Sequence, residues 1–228
     1  MFSRSTGRGS KYQQKKIKAT RFHIAFEGAK SEAEYFEEWK KLTPKRFQHL
    51  LQIVPIPKQD DSRSSPKDVV NDMLDHLKTQ KVKLAGETDN AYVVIDVDHH
   101  FTGTHMSGTA EALTTCRQKG VSVICNSPAV EIWFICHYED PTTWDDEFSK
   151  EALENHGGFL KSHLNTLKGS DSMKEVLLKT RVAIENSKKL KSLTEDEEQV
   201  PPEVLMPNID LIWDDLEATG LKLDEYFK

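Results

Sequence analysis

The run AYVVI at 91–95, followed at once by Asp96-Val97-Asp98, constrains this chain more than any other stretch. β-Branched and aromatic residues with no polar interruption make a strand that is buried on both faces. Such strands belong to parallel sheets covered by helices. Three further runs read the same way: FHIAF at 22–26, LLQIV at 50–54 and VSVIC at 121–125. Helical periodicity fills the gaps between them. Ser31 with Glu34 three residues on forms a capping-box pattern, and Tyr35, Phe36, Trp39 and Leu42 give the helix behind it an apolar face. Pro55 and Pro57 mark the exit of the second strand. Ser65-Pro66 places a cap and a first-turn proline ahead of a helix whose buried stripe is Val69, Val70, Met73, Leu74 and Leu77. A third helix starts near Ser107 and stops at Gly120. The apolar segment at 129–136 reads as a short buried helix.

Four strands separated by helices imply right-handed parallel crossovers. The expected fold class is therefore α/β, a mostly parallel sheet flanked by helices. Residues beyond about Trp144 show mainly helical periodicity. Three regions are expected: a flexible basic arm at 1–20, an α/β core at 21–140, and a helical extension at 141–228 packed on that core.

The net charge of −6 is unevenly distributed. Residues 1–26 carry Arg4, Arg8, Lys11, Lys15, Lys16, Lys18 and Arg21 and no acid. From Leu193 onward acids dominate, Glu195, Asp196, Glu197 and Glu198 among them. A basic arm can track phosphates by displacing counterions, or it can be a solvated tail. No apolar run approaches the roughly 20 residues of a membrane span, and the N-terminal stretch has no apolar signal core. Neither a membrane association nor a secretory route is expected. Cys116, Cys125 and Cys136 are odd in number and lack metal-ligand spacing, which points to reduced thiols in the cytoplasm.

In parallel α/β sheets, ligands bind outside the carboxyl ends of the strands. Glu27 stands at one such end, and Asp96 and Asp98 stand at another. Residues two apart on an extended chain face the same side, so Asp96 and Asp98 can point together. Carboxylates gathered there repel one another unless a cation sits between them. Hard oxygen donors suit Mg²⁺ or Mn²⁺. Gly28 permits close approach of a ligand to the backbone. Lys30, near a helix N-terminus, is a candidate phosphate contact, and Glu32 a candidate ligand for a second ion. His99, His100 and His105 follow the Asp pair; His99 and His100 point apart on an extended chain, so at most one faces the site. The other histidines each stand alone, apart from any cluster, and read as ordinary surface or core groups. Glu131 lies in an apolar run, where an unpaired carboxylate is costly; it should pair with a base or reach the metal. Nucleophile signatures of the Ser/His/Asp or Cys/His kind are absent, as is a Walker-type phosphate loop.

Three blocks carry a resemblance. Phe26-Glu27-Gly28-Ala29-Lys30-Ser31-Glu32-Ala33-Glu34-Tyr35-Phe36, Ile95-Asp96-Val97-Asp98, and the segment from Asn126-Ser127-Pro128 through Glu131, Trp133 and His137 resemble, in order and spacing, the RloB family. That family is similar to Toprim domains. The resemblance implies a Toprim-like core with Glu27 as the acid after the first strand and Asp96 and Asp98 as paired metal ligands. It further implies a Mg²⁺-dependent nuclease effector in bacterial anti-phage defence, acting on nucleic acid, with structured RNA such as tRNA favoured over DNA, beside an ABC-type ATPase partner. Glu27, Lys30, Asp96, Asp98 and Glu131 are the candidate catalytic residues. Ser31 stands where the family has Thr, and Asn126-Ser127 inverts its Ser-Asn order. The nearest counterpart of its C-terminal N-P-S-T-like element is Pro207-Asn208-Ile209-Asp210, onto which no function is carried. Two other readings stay open: a non-catalytic regulatory module that binds nucleic acid or an ATPase through the same fold, and a phosphatase of the haloacid dehalogenase type. The latter leaves Glu27 without a role. A homo-oligomer is also open.

Overall fold

The computed structural model describes residues 19–28, 30–58, 65–84, 88–97, 101, 106–194 and 202–226. Four parallel strands form one sheet in the order β2-β1-β3-β4. They are β1 (Thr20–Phe26), β2 (Leu51–Ile56), β3 (Asp89–Asp96) and β4 (Ser122–Asn126). Between them run α1 (Ser31–Leu42), α2 (Pro66–Thr79) and α3 (Met106–Lys119). After β4 come α4 (Glu131–Ile135), α5 (Asp146–Glu154), α6 (Phe159–Lys168), α7 (Met173–Leu178), α8 (Thr180–Lys191), α9 (Asp210–Ala218) and α10 (Leu223–Tyr226). The chain is thus α/β with helices on both sides of an all-parallel sheet. No helix among the described residues is long and apolar enough to cross a membrane.

The twofold alternation of the strands divides the apolar residues between two layers. Ala25, Ala91, Val93, Ile95 and Cys125 face α2 and α3, which supply Val69, Val70, Met73, Leu77, Ala112 and Cys116. Phe22, Ile24, Phe26, Tyr92, Val94 and Ile124 face the opposite way. There they meet α1 and the helices that follow β4, in an aromatic layer. Trp39 of α1 stacks on Trp213 of α9 at 3.7 Å between ring centroids and 11° between planes. The Trp213 indole N–H donates to Tyr35 Oη at 3.3 Å. Tyr226 Oη lies 2.5 Å from Thr43 Oγ1. One face of the sheet is therefore covered by helices interleaved with the strands, and the other largely by helices drawn from after them.

Three local expectations are corrected. The second strand does not exit at Pro55 but runs on to Ile56. It tolerates proline because it is an edge strand, where a missing donor need not break the ladder. Thr20 and Arg21 belong to β1. At α1 the Ser31/Glu34 capping box does not form: Lys30 is the N-cap and no side chain caps the helix. The Ser65 cap expected at α2 does form, and Asp68 extends it to a capping box, Ser65 Oγ and the Asp68 carboxylate being bonded reciprocally to each other's backbone N–H. Gly120 takes φ +70° after α3, as a helix-ending glycine does.

Candidate functional site

The sheet order creates the site. From β1 the chain crosses to β2 on one side, then returns to place β3 on the other. The β1/β3 junction is a topological switch point, where the crossovers diverge and leave a crevice at the carboxyl ends of the strands. Glu27 follows the last residue of β1, and Asp96 is the last residue of β3. The Glu27 N–H donates to Val94 O at 3.2 Å, and the Asp96 N–H donates to Glu27 Oε2 at 3.4 Å. The two strand ends are thus joined through one of the carboxylates expected to act there. Val97 is held in turn by its N–H to Asn126 O of β4, at 2.9 Å. Asp98, His99, His100 and His105 lie outside the described residues.

Glu32 joins this group from the first turn of α1. It is buried, and its Oε1 accepts the Gly28 N–H at 2.7 Å. Burial pushes its carboxyl up to about 7, and the nearby negative charges of Glu131 and Glu27 push the same way. Gly28 is explained by this contact. A Cβ there would lie 1.9–2.1 Å from the Glu32 carboxylate. The close approach read from the sequence is made by the chain's own acid, four residues on. The Glu34 N–H, which a Ser31 cap would have taken, donates instead to Lys30 O at 2.9 Å.

Glu131 opens α4 and is half-buried. Its charge reaches Glu32, but it makes no ion pair among the described residues. Of the two alternatives posed for it, pairing with a base is not what is found. Lys30 is exposed at the start of α1. Cys125, beside these acids on β4, has its thiol pushed up to about 12 by burial and then by Asp96 and Glu27, which makes it an inert core residue.

The donor set is all carboxylate oxygen, which fits Mg²⁺ or Mn²⁺ in kind. Among the described residues no three His, Cys, Asp or Glu side chains converge closely enough to hold one ion. Glu27 and Asp96 are adjacent and Glu32 is in electrostatic range.

Two arrangements escaped the sequence reading. Asn126 is fully buried, and its Oδ1 accepts the Asn208 N–H at 3.0 Å, while Asn208 Nδ2 donates to Cys125 O at 2.8 Å. Ser127 and Met206 add an antiparallel bridge. The segment around Pro207 is thereby clamped onto the end of β4, next to the carboxylates. The Asn-Ser-Pro block and the Pro207-Asn208 pair were its only signals. The second arrangement lies at the opposite end of the sheet. His23 does not stand apart: its Nε2 lies 2.9 Å from Asp89 Oδ1 and its Nδ1 lies 3.1 Å from His76 Nε2. Arg21 Nε lies 2.7 Å from the same Asp89 carboxylate. His137, by contrast, is a core residue, fully enclosed and pulled down to about 3 by burial.

Compared with known families, residues 22–216 match the family model described as RloB-like protein. No curated protein and no solved structure gives a significant match.

Proposed function

The chain belongs to the RloB-like family, and from that premise we propose that it is a Mg²⁺-dependent nuclease with a Toprim-like site. In this reading it is an effector in anti-phage defence that cleaves RNA, tRNA in preference to DNA, and acts with an ABC-type ATPase. The observation that carries the reading is the join between Glu27 and Asp96 across the β1/β3 switch point.

Glu27, Asp96 and Asp98 would hold the ion, with Glu32 within range for a second. When bound, such an ion supplies charge neutralisation at the phosphoryl oxygens and a more acidic water. The remaining work falls to the protein. Like-charged acids around one crevice favour occupancy by a cation over mutual repulsion. Glu32, with a carboxyl near 7, is partly protonated at neutral pH and is suited to take a proton from an attacking water or return one to a leaving oxygen. Lys30, exposed at the helix start, is placed to meet a phosphate. Asn126 holds Val97 by its backbone carbonyl and so fixes the backbone just beyond Asp96.

The test is incubation of the chain, alone and with its candidate ATPase, with Mg²⁺ and separately with total tRNA, single-stranded DNA and duplex DNA. Metal-dependent cleavage of tRNA, strongest with the ATPase and lost in Asp96→Ala, is expected. Cleavage of DNA with intact tRNA would reverse the substrate preference. Absence of cleavage in every mixture, with metal binding verified, would favour the regulatory module.

A further inference from the structure

A narrow cleft of about 60 Å³ opens beside the carboxylates, between the start of α1, α4 and α6. Its polar lining is Ser31, Glu131, Lys161, Asn165 and Lys168, and apolar residues, Phe134 among them, complete it. Glu131 ties the cleft to the site, because the same carboxylate acts on Glu32.

The two lysines set its chemistry. They stand seven residues apart on α6, two turns along one helical face. α6 itself contains no acidic residue. The acids nearby are engaged elsewhere: Glu139 accepts from His163 and Trp144, and Asp171 accepts from Lys179 and Tyr138. Lys161 and Lys168 have no ion-pair partner among the described residues. Lys168 also acts at range on Asp171, and against the one acid of the cleft, Glu131, the two lysines leave its lining net positive in a chain of net charge −6. Ser31 and Asn165 add neutral donors. The cavity is too small for a nucleobase and suits one phosphate group at its mouth.

We propose that this cleft takes a backbone phosphate of a nucleic-acid strand next to the scissile one, held by Lys161 and Lys168. The carboxylates, with a cation bound, would hold the reacting phosphodiester, and the lysines would fix the direction in which the strand leaves. This rests on the nuclease reading, so its test separates binding from cleavage.

Fluorescein-labelled tRNA is titrated in EDTA, which stops metal-dependent cleavage, with the full chain and with Lys161→Gln/Lys168→Gln. A Lys83→Gln/Lys119→Gln chain, altered by the same charge in a different lysine-lined groove, controls for net charge. Circular dichroism and thermal melting establish that all three are folded. The cleft pair is expected to weaken binding about tenfold and to lower the slope of log K against log salt by roughly 1.4–1.8, two contacts at 0.7–0.9 each. The control pair should leave both nearly unchanged. Equal loss in the two variants, or none in the cleft variant, overturns the proposal while leaving tRNA binding by the parent chain intact. Failure of the parent chain to bind tRNA overturns the nuclease reading as well. Binding of polyglutamate in place of tRNA, lost in the cleft variant, would assign the cleft to an acidic protein and overturn the proposal too.

Discussion

The two ends of the sheet are built from the same kinds of residue to opposite effect. At the amino end, Asp89 is buried with three donors around it. Burial works against its charge, but hydrogen bonds from Arg21, His23 and Thr88 outweigh it and hold the carboxyl below its ordinary range. His76 is pulled down by burial and by its neighbour His23. Every charge there has an opposite or a hydrogen bond. At the carboxyl end, Glu27, Glu32, Asp96 and Glu131 gather with no arginine or histidine bonded to them among the described residues, and burial, aided by the charges of Glu131 and Glu27, makes Glu32 hold its proton. A balanced cluster stabilises the fold and asks for nothing else. An unbalanced one is a standing cost that a cation relieves. The difference separates structure from site more reliably than the number of charged residues does.

Substitutions should therefore act on different observables at the two ends. The largest effect is expected from Asp96→Ala: metal-dependent cleavage should fall by more than the about 10–100-fold typical of removing a mere supporting contact. Its far-UV spectrum should be unchanged and its metal-free melting temperature equal or higher. A clear loss of stability in the absence of metal would place Asp96 with the structural acids.

Asp89→Ala should do the reverse. Removing the acid leaves His23 buried without its partner, while Arg21, half-exposed, can turn to water. That geometry puts the cost at about 2–3 kcal/mol, below the full value for an enclosed pair, read from urea unfolding. Cleavage per folded molecule should be unaffected. If activity fell with no change in stability, the amino end would have a role in catalysis and the contrast would fail.

Glu32→Gln sharpens the comparison through pH. The carboxyl rises from 4.5 to about 7 on folding. Between those values the folded chain keeps a proton that the unfolded chain has released. Its contribution to stability is full below pH 4.5, declines as pH rises, and is gone above about 7, a change on the order of 3 kcal/mol at most. His137 runs the other way: its depressed value near 3 makes stability fall as pH drops from 6.5 towards 3. The Gln variant should gain on the parent steadily from pH 4.5 to 7 and keep a constant lead above that. Melting curves across this range that run parallel for the two chains would show that Glu32 does not titrate as the contacts require.

The smallest loss of stability is expected from Gly28→Ala. The added methyl meets the end of a flexible side chain, so the Glu32 carboxylate can swing away at a cost of about 1 kcal/mol, one hydrogen bond. Cleavage should nevertheless fall, because the displaced carboxylate leaves the crevice. Unchanged activity would mean that the position of Glu32 does not matter.

Much of the fold was written in local pattern. The four strands announced themselves by β-branched runs, and the Ser65-Pro66 helix start by a capping arrangement that needs only neighbouring residues. Strand order was not, because nothing local says to which side a crossover turns. The carboxylates at strand ends were legible, and so was the family blocks' order; their meeting at the β1/β3 junction depended on that order. The Ser31/Glu34 pattern misled because the helix starts one residue earlier, with Lys30 as its N-cap and the Glu34 N–H bonded to Lys30 O. The His23 cluster and the Asn126–Asn208 clamp join residues 53 to 83 positions apart. No window of sequence contains both halves of such a contact.

The stacking of Trp39 on Trp213 sets an order of events during synthesis. A chain leaving the ribosome folds from its N-terminal side as it emerges. The strands with α2 and α3 can come together once residue 126 is out. The aromatic side of that sheet then waits, uncovered, for another hundred or so residues, about 5–20 seconds at typical elongation rates. Until α9 arrives, Trp39 and Tyr35 present an adhesive surface to the cell, and the strand that borders the crevice lacks its Asn208 clamp. The nascent protein is thus most exposed to aggregation, and most in need of a chaperone, in the interval when its site is still unfinished.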